Sequence, residues 1–102
     1  IEEWPLAVWA WESVDDDDLH TVERRAYNRV GQTRHASYNA ANSWFYFPQM
    51  TREEAILIKN YDTITDGRAR YAPHTSFADP TSSATALPRE SLETRVFAFF
   101  DD

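Results

Sequence analysis

The sequence predicts an all-β fold, a sandwich or barrel formed by one domain. Its 102 residues are enough for a single domain, and 42% of them are hydrophobic, so the chain can fill a core. Short segments rich in aromatic and aliphatic residues recur along the chain with turn signals between them, a pattern typical of strands in all-β domains. These segments are residues 4–11, 32–38, 41–48, 55–61 and 91–100.

The first segment and the connection that follows it differ strongly in polarity. Residues 4–11, WPLAVWAW, mix aromatic and aliphatic side chains and therefore predict a buried strand. The four consecutive aspartates at 15–18 predict a solvated turn, because a calcium-binding loop would place its carboxylates at alternate positions. Residues 27–39, YNRVGQTRHASYN, predict a turn that leads into a strand at 32–38.

Two further strands are predicted in the middle of the chain. Residues 41–48, ANSWFYFP, are rich in aromatic residues and end at a proline, which closes the strand. Thr51 and Glu54 have the spacing of a helix capping box, but the apolar run after them is too short for periodicity to assign. We predict a turn at 51–54 and a strand at 55–61, with a helix as the alternative.

The C-terminal part consists of a long polar stretch and a final apolar one. Residues 62–90 contain three prolines and predict a long loop, a kind of segment that often carries function in compact domains. Residues 91–100, SLETRVFAFF, alternate and then become continuously apolar, which predicts a last buried strand. Because side chains two apart on a strand share a face, this strand would align four polar residues. They are Arg89, Ser91, Glu93 and Arg95.

The composition excludes several classes of partner and site. The net charge is -7, so neither nucleic acid nor an anionic membrane surface is expected as a partner. No apolar run approaches the roughly 20 residues that span a bilayer. The chain has no cysteine, which excludes disulfides and thiolate metal sites and fits a reducing, cytoplasmic compartment.

The residues that could carry chemistry lie around His74 and Arg89. A neutral imidazole suits iron, and an arginine near a serine suits a carboxylate, which a guanidinium binds through two parallel hydrogen bonds. Residue types and spacing leave a plainer alternative open. In that alternative His74 is an ordinary loop histidine, and Arg89 and Ser91 belong to an exposed strand face.

Four motifs within residues 42–100 are distinctive: WFYFPxM, KNYD followed by DGRAR, PHTSF and PRES. On these motifs the chain resembles the C-terminal part of a hydroxylase/desaturase family of natural-product biosynthesis. That family includes the cephamycin-pathway methoxylation protein and gibberellin-desaturase-like proteins. The N-terminal stretch at residues 4–20 resembles it as well, so the resemblance covers nearly the whole chain.

The resemblance implies a partial double-stranded β-helix of the jelly-roll or cupin-like kind, the C-terminal portion of a longer fold. It also implies an Fe(II)/2-oxoglutarate-dependent oxygenase that hydroxylates or desaturates a small-molecule natural product. In such a site two histidines and one carboxylate hold the iron. By position, His74 looks like the distal iron ligand, and Arg89 and Ser91 look like the pair that holds 2-oxoglutarate. Lys59 and Tyr61 would face the same pocket.

The sequence departs from the family pattern at the other two iron ligands. The family has an H-x-D motif well upstream, whereas neither His20 nor His35 is followed by an aspartate two positions later. We therefore expect a distal portion of a longer enzyme, with a missing upstream chain or a homodimer supplying those ligands. The start at Ile1 rather than methionine agrees with this. The alternative is a non-catalytic β-barrel accessory subunit that binds a small acidic ligand or a partner protein.

Overall fold

The structure, a computed structural model, describes residues 1–101 and confirms the all-β prediction. Its strands form two antiparallel sheets, and the helical elements of this part of the chain are single 3₁₀ turns at Trp11–Ser13 and Asp16–Asp18. None of its helices has the length and apolar character that crossing a membrane requires. The strands are β1 (Leu6–Trp9), β2 (Leu19–Ala26), β3 (Arg29–Ala36), β4 (Trp44–Tyr46) and β5 (His74–Ser76).

Strand β1 is the centre of a three-stranded sheet with the order β4-β1-β5. Its burial alternates, so that Ala7 and Trp9 point into the core while Leu6 and Val8 are half-buried. The indole of Trp9 stacks on Trp44 of β4, with ring centroids 5.4 Å apart and an interplanar angle of 20°. The core of the protein therefore sits on one face of this small sheet.

The side chain of Ser13 connects the end of β1 to the residue just before β4. The Oγ of Ser13 accepts hydrogen bonds from Trp9 Nε1 and from the Ser43 amide, both at 2.9 Å. The same hydroxyl donates to the carbonyl oxygen of Ala10 at 2.8 Å. The 3₁₀ turn after β1 thus fixes both the core indole and the residue that precedes β4.

Strands β2 and β3 form a separate hairpin that is almost entirely exposed. Ala26 pairs with Arg29, so two residues make the turn. The base of the hairpin is fixed by Asp18, whose carbonyl oxygen accepts from the Ser37 amide and whose carboxylate accepts from Asn39 Nδ2, each at 2.8 Å. Pairing of the two backbones, rather than burial of side chains, holds this hairpin together.

Several sequence predictions are confirmed. Strand β1 lies within the predicted segment 4–11, and β4 lies within 41–48. The aspartates at 15–18 form a turn in which the first three are exposed and Asp18 is half-buried, and the Asp17 amide donates to Asp15 Oδ1 at 3.0 Å. The predicted strand at 32–38 corresponds to β3, which begins earlier, at Arg29. Strand β2 was not predicted, because its two faces carry polar and charged residues and give no burial pattern.

Two predicted strands are wrong. Residues 55–61 and 91–100 have no strand structure, and the apolar side chains of the last segment are among the most exposed in residues 1–101. A strand forms where a neighbour satisfies its backbone groups, and no described strand pairs with either segment. The predicted common strand face of Arg89, Ser91, Glu93 and Arg95 is therefore not formed. Conversely, the predicted long loop at 62–90 contains β5.

Candidate functional site

His74 is the first residue of β5 and lies directly opposite Val8 in the central strand. The segment before it is fixed as well, because the Trp9 amide donates to the Pro73 carbonyl oxygen at 2.8 Å. The imidazole itself is exposed, and its Nδ1 lies 2.7 Å from the carbonyl oxygen of Ala72. A candidate ligand is thus carried by a strand that pairs with the core strand.

The contact with Ala72 decides which nitrogen of His74 carries a proton. A carbonyl oxygen can only accept, so Nδ1 must donate, and the neutral ring then has its lone pair on Nε2. Metal-binding histidines commonly use one ring nitrogen as a donor in this way, while the other coordinates. The geometry therefore leaves the lone pair on Nε2 of His74 available to a metal ion.

Lys59 is linked to His74 through hydrogen bonds that both residues make with Ala72. Its carbonyl oxygen accepts from the Ala72 amide at 2.8 Å. Its ammonium donates to Asp62 Oδ2 at 2.7 Å and to the Ala69 carbonyl oxygen at 3.1 Å. The hydrogen bond from Lys59, together with one from the Ile64 amide, holds the pKa of Asp62 below the ordinary aspartate value. Lys59 therefore closes the loop that leads to His74.

Tyr61 takes part in a cluster of arginine and tyrosine side chains at the end of the same loop. Its hydroxyl accepts from Nη2 of Arg70 at 2.9 Å, and Nε of Arg70 donates to the Asp62 carbonyl oxygen at 2.9 Å. The Tyr61 and Tyr71 rings lie 5.9 Å apart. Hydrogen bonds within residues 59–74 thus link the loop that carries Lys59 and Tyr61 to the start of the strand that carries His74.

Arg89 and Ser91 are not drawn into this network. Arg89 is half-buried and Ser91 is exposed, and neither side chain makes a hydrogen bond or an ion pair with residues 1–101. Both remain available for a ligand, and their role with 2-oxoglutarate stays a prediction.

The side chains of residues 1–101 do not complete an iron site. Within the described residues, no group of three histidine, aspartate or glutamate side chains is arranged to hold a metal ion. Nε2 of His20 is engaged with Ser37 Oγ at 2.5 Å, and His35 lies on the exposed hairpin, so neither histidine forms a three-residue metal-holding group with His74 in this part of the chain. The residues present therefore do not by themselves fit the iron that the resemblance implies.

The sequence reading missed three residues that the structure brings together. Arg34 of β3 and Arg70 both place their guanidinium groups over the Tyr71 ring, at 4.7 Å and 5.7 Å from its centroid. The DGRAR motif contains Arg70 and was the available signal. The sequence contains no such signal for Arg34, because nothing in it indicates that the β2–β3 hairpin lies against this loop.

Comparison with known proteins places the chain in a family. A family model described as an oxidoreductase/YMDC permease-like domain matches residues 1–99. The chain belongs to this family. No solved structure matches it.

Three curated relatives of the chain come from fungi. The chain is 38% identical to hydroxylase/desaturase asaB of Aspergillus flavus, over 96% of the chain and 49% of that protein. It is 36% identical to hydroxylase/desaturase efuI of Hormonema carpetanum, over 100% of the chain and 38% of the relative. A third relative, from Aspergillus novofumigatus, is named Fe(II)/2-oxoglutarate-dependent dioxygenase nvfI and is 31% identical over 97% of the chain and 36% of its own length.

These matches confirm the resemblance to hydroxylase/desaturases that the four motifs indicated. The chain spans between 36% and 49% of the length of these relatives, so a large part of each relative has no counterpart in it.

Proposed function

We propose that the chain is the distal portion of an Fe(II)/2-oxoglutarate-dependent oxygenase that hydroxylates or desaturates a small-molecule natural product. In this proposal residues 1–102 form one domain with the rest of a double-stranded β-helix, and the protein works in the cytoplasm. The observation that carries the proposal is the geometry of His74. A strand paired to the core holds its backbone, Ala72 fixes its Nδ1, and its Nε2 has no hydrogen-bond partner among the described residues 1–101.

His74 is proposed as one of three iron ligands. The other two, a histidine and a carboxylate, would come from residues other than the described ones, in an upstream segment or a second copy of the chain. Support comes from the name of the Aspergillus novofumigatus relative, which states both cofactors, and from the greater length of the relatives. A lone exposed histidine binds metal weakly, so the site depends on those additional residues.

Arg89 and Ser91 are proposed to hold the far carboxylate of 2-oxoglutarate. An unengaged guanidinium is suited to this role because its fork matches the two oxygens of a carboxylate. Lys59 and Tyr61 are proposed to border the same pocket. Their own polar groups are committed to Asp62 and Arg70, so they would act by holding the loop in place.

A chimera tests this proposal directly. The chain would replace its matching segment in the Aspergillus novofumigatus dioxygenase, and the purified chimera would be titrated anaerobically with Fe(II) and 2-oxoglutarate. We expect the visible charge-transfer band of the ternary complex. His74→Ala should abolish the band, and Arg89→Ala should raise the 2-oxoglutarate concentration needed for it by about tenfold or more, since a charged hydrogen bond is lost.

His35→Ala is the matched control, because His35 lies in the exposed hairpin, far in sequence from the proposed site, and the band should survive this change. A band that persists in His74→Ala would refute the ligand assignment. A folded chimera without any band would favour the accessory-subunit alternative. That alternative draws on the lack of a metal-holding group within residues 1–101.

A further inference from the structure

A groove of about 290 Å³ lies where the β2–β3 hairpin meets the loop that precedes β5. Its walls come from three separate parts of the chain, and three of its lining residues are arginines. This concentration of positive charge stands out in a chain whose net charge is -7. The lining includes Trp11, Asp16, Arg34, Arg68, Arg70 and Tyr71.

Arg70 is held rigidly at this groove. Its Nε and Nη2 atoms donate to the Asp62 carbonyl oxygen and the Tyr61 hydroxyl, both at 2.9 Å. Neither acceptor carries a charge, so the positive charge of Arg70 is positioned without being neutralised. The side chain still has N–H groups that these two bonds do not use. A guanidinium held in this way loses little conformational entropy when it binds a ligand.

Arg34 is the less constrained cation of the groove. Its guanidinium carbon lies 4.7 Å from the centre of the Tyr71 ring. The side chain makes no hydrogen bond or ion pair with the part of the chain that the structure describes. Stacking on an aromatic face uses the plane of the guanidinium and leaves its N–H groups free at the edge. Arg34 therefore offers a complete fork to an incoming acceptor.

The remaining charges of the groove indicate how much negative charge a bound anion can carry. Arg68 is already paired with Asp66, whose carboxylate accepts from its Nε and Nη2. This pairing raises the pKa of Arg68 and lowers that of Asp66. Asp16 adds a negative charge to the lining and would repel a dianion. Two uncompensated guanidiniums beside one carboxylate favour a ligand with a single negative charge.

We propose that this groove binds the carboxylate of a small organic acid, with Arg34 as the principal contact and Arg70 as a prepositioned second cation. The half-buried Trp11 ring supplies the flat apolar surface for the body of the ligand, while the Tyr71 ring holds the Arg34 guanidinium in place. The site does not involve Arg89, His74 or iron, and it does not rest on the function proposed above. It also assigns a role to the DGRAR motif, which shapes this wall of the groove.

Titration of the isotope-labelled chain with benzoate, followed by two-dimensional NMR, tests the proposal without any metal. Benzoate is expected to shift the Arg34 Nε–H signal and the Gly67 amide signal in a saturable way. Benzyl alcohol has the same ring without the charge, and inorganic phosphate has more charge without the ring. We expect no saturable shift with benzyl alcohol and weaker binding of phosphate than of benzoate. Equal binding of benzyl alcohol, or tighter binding of phosphate, would overturn the proposal.

Variants of β3 make the test specific. Arg34→Gln should weaken benzoate binding by about tenfold or more, because a charge-assisted pair of hydrogen bonds is lost. Arg34→Lys keeps the charge but not the fork and should give an intermediate loss. Arg29→Gln is the matched control, since it makes the same change in charge on the opposite face of the same strand. Arg34→Gln and Arg29→Gln proteins with the same affinity would overturn the proposal, as would a benzoate response at Arg89 instead of Arg34.

Discussion

Nδ1 of His74 lies 2.7 Å from the carbonyl oxygen of Ala72, and this contact orients the imidazole before any ligand arrives. Nitrogen NMR of the imidazole should therefore show a protonated Nδ1 and an unprotonated Nε2 in the neutral form of His74. The exposed ring of His35, which makes no side-chain hydrogen bond with residues 1–101, is the comparison. A His74 ring protonated mainly at Nε2 would contradict the geometry on which the proposed ligand role depends.

The ion pair of Lys59 and Asp62 predicts how the loop before β5 responds to pH. The hydrogen bond from Lys59 lowers the pKa of Asp62, so the pair stabilises the folded loop above the ordinary aspartate pKa. That contribution is lost as the pH falls through the lowered pKa. Carboxyl-carbon NMR should give Asp62 a midpoint below the ordinary value, and Lys59→Met should move this midpoint upward.

Asp79 provides an internal control for that titration. Its pKa is also lowered, but the cause is hydrogen bonding from the side chain and backbone of Thr81. The Asp79 midpoint should therefore stay where it is in Lys59→Met. A joint shift of both carboxylates would mean that the variant alters the fold as a whole, and the assignment of the Asp62 shift to Lys59 would fail.

The hydroxyl of Ser13 is expected to matter more for stability than a half-buried serine usually does. Ser13→Ala removes the acceptor of two hydrogen bonds, from Trp9 Nε1 and the Ser43 amide. The Trp9 indole is buried, and leaving its N–H without an acceptor costs about 1–3 kcal/mol, so we expect a loss of that size in the free energy of unfolding measured in urea. The Ser43 amide is exposed and can bond to water instead. Ser91→Ala, at an exposed serine without a described partner, should change it by less than about 0.5 kcal/mol. Equal effects of the two variants would contradict this role for Ser13.

The elements predictable from the sequence were those whose aromatic and aliphatic composition favours a strand. Strands β1 and β4 have this composition, and the structure pairs them and stacks Trp9 on Trp44. Strand β2 is held mainly by backbone pairing and buries almost none of its side chains, so its sequence contains no periodic burial signal. The run at 91–100 gave the opposite error, because an apolar composition indicates a tendency to be buried but does not supply a partner.

The candidate site was predictable only in part for a similar reason. Motifs pointed to His74, Lys59 and Tyr61, and the structure connects all three through one loop and its neighbouring strand. The meeting of Arg34 with Tyr71 could not be predicted, since it depends on how the hairpin sits against a loop far away in sequence. Contacts of that kind are set by tertiary packing, which local patterns do not encode.

The exposed apolar run at 91–100 predicts that the isolated chain associates. Phe97 and Phe99 are 90% and 92% exposed, and their rings stack on each other with centroids 6.5 Å apart rather than in a core. Contiguous apolar surface of this kind is typical of an interface with other chains or with further parts of the same fold. Sedimentation should show self-association that weakens on dilution, and the chain should bind apolar dyes.

The double variant Phe97→Ser/Phe99→Ser should reduce both the association and the dye binding, because it removes both stacked rings from the exposed surface. Leu57→Ser is the matched control: Leu57 is 98% exposed but lies outside this segment, so its loss should leave both measurements nearly unchanged. If the double variant associated as strongly as the unmodified chain, the interface would lie elsewhere. The run at 91–100 would then be excluded as the surface through which copies of this chain associate.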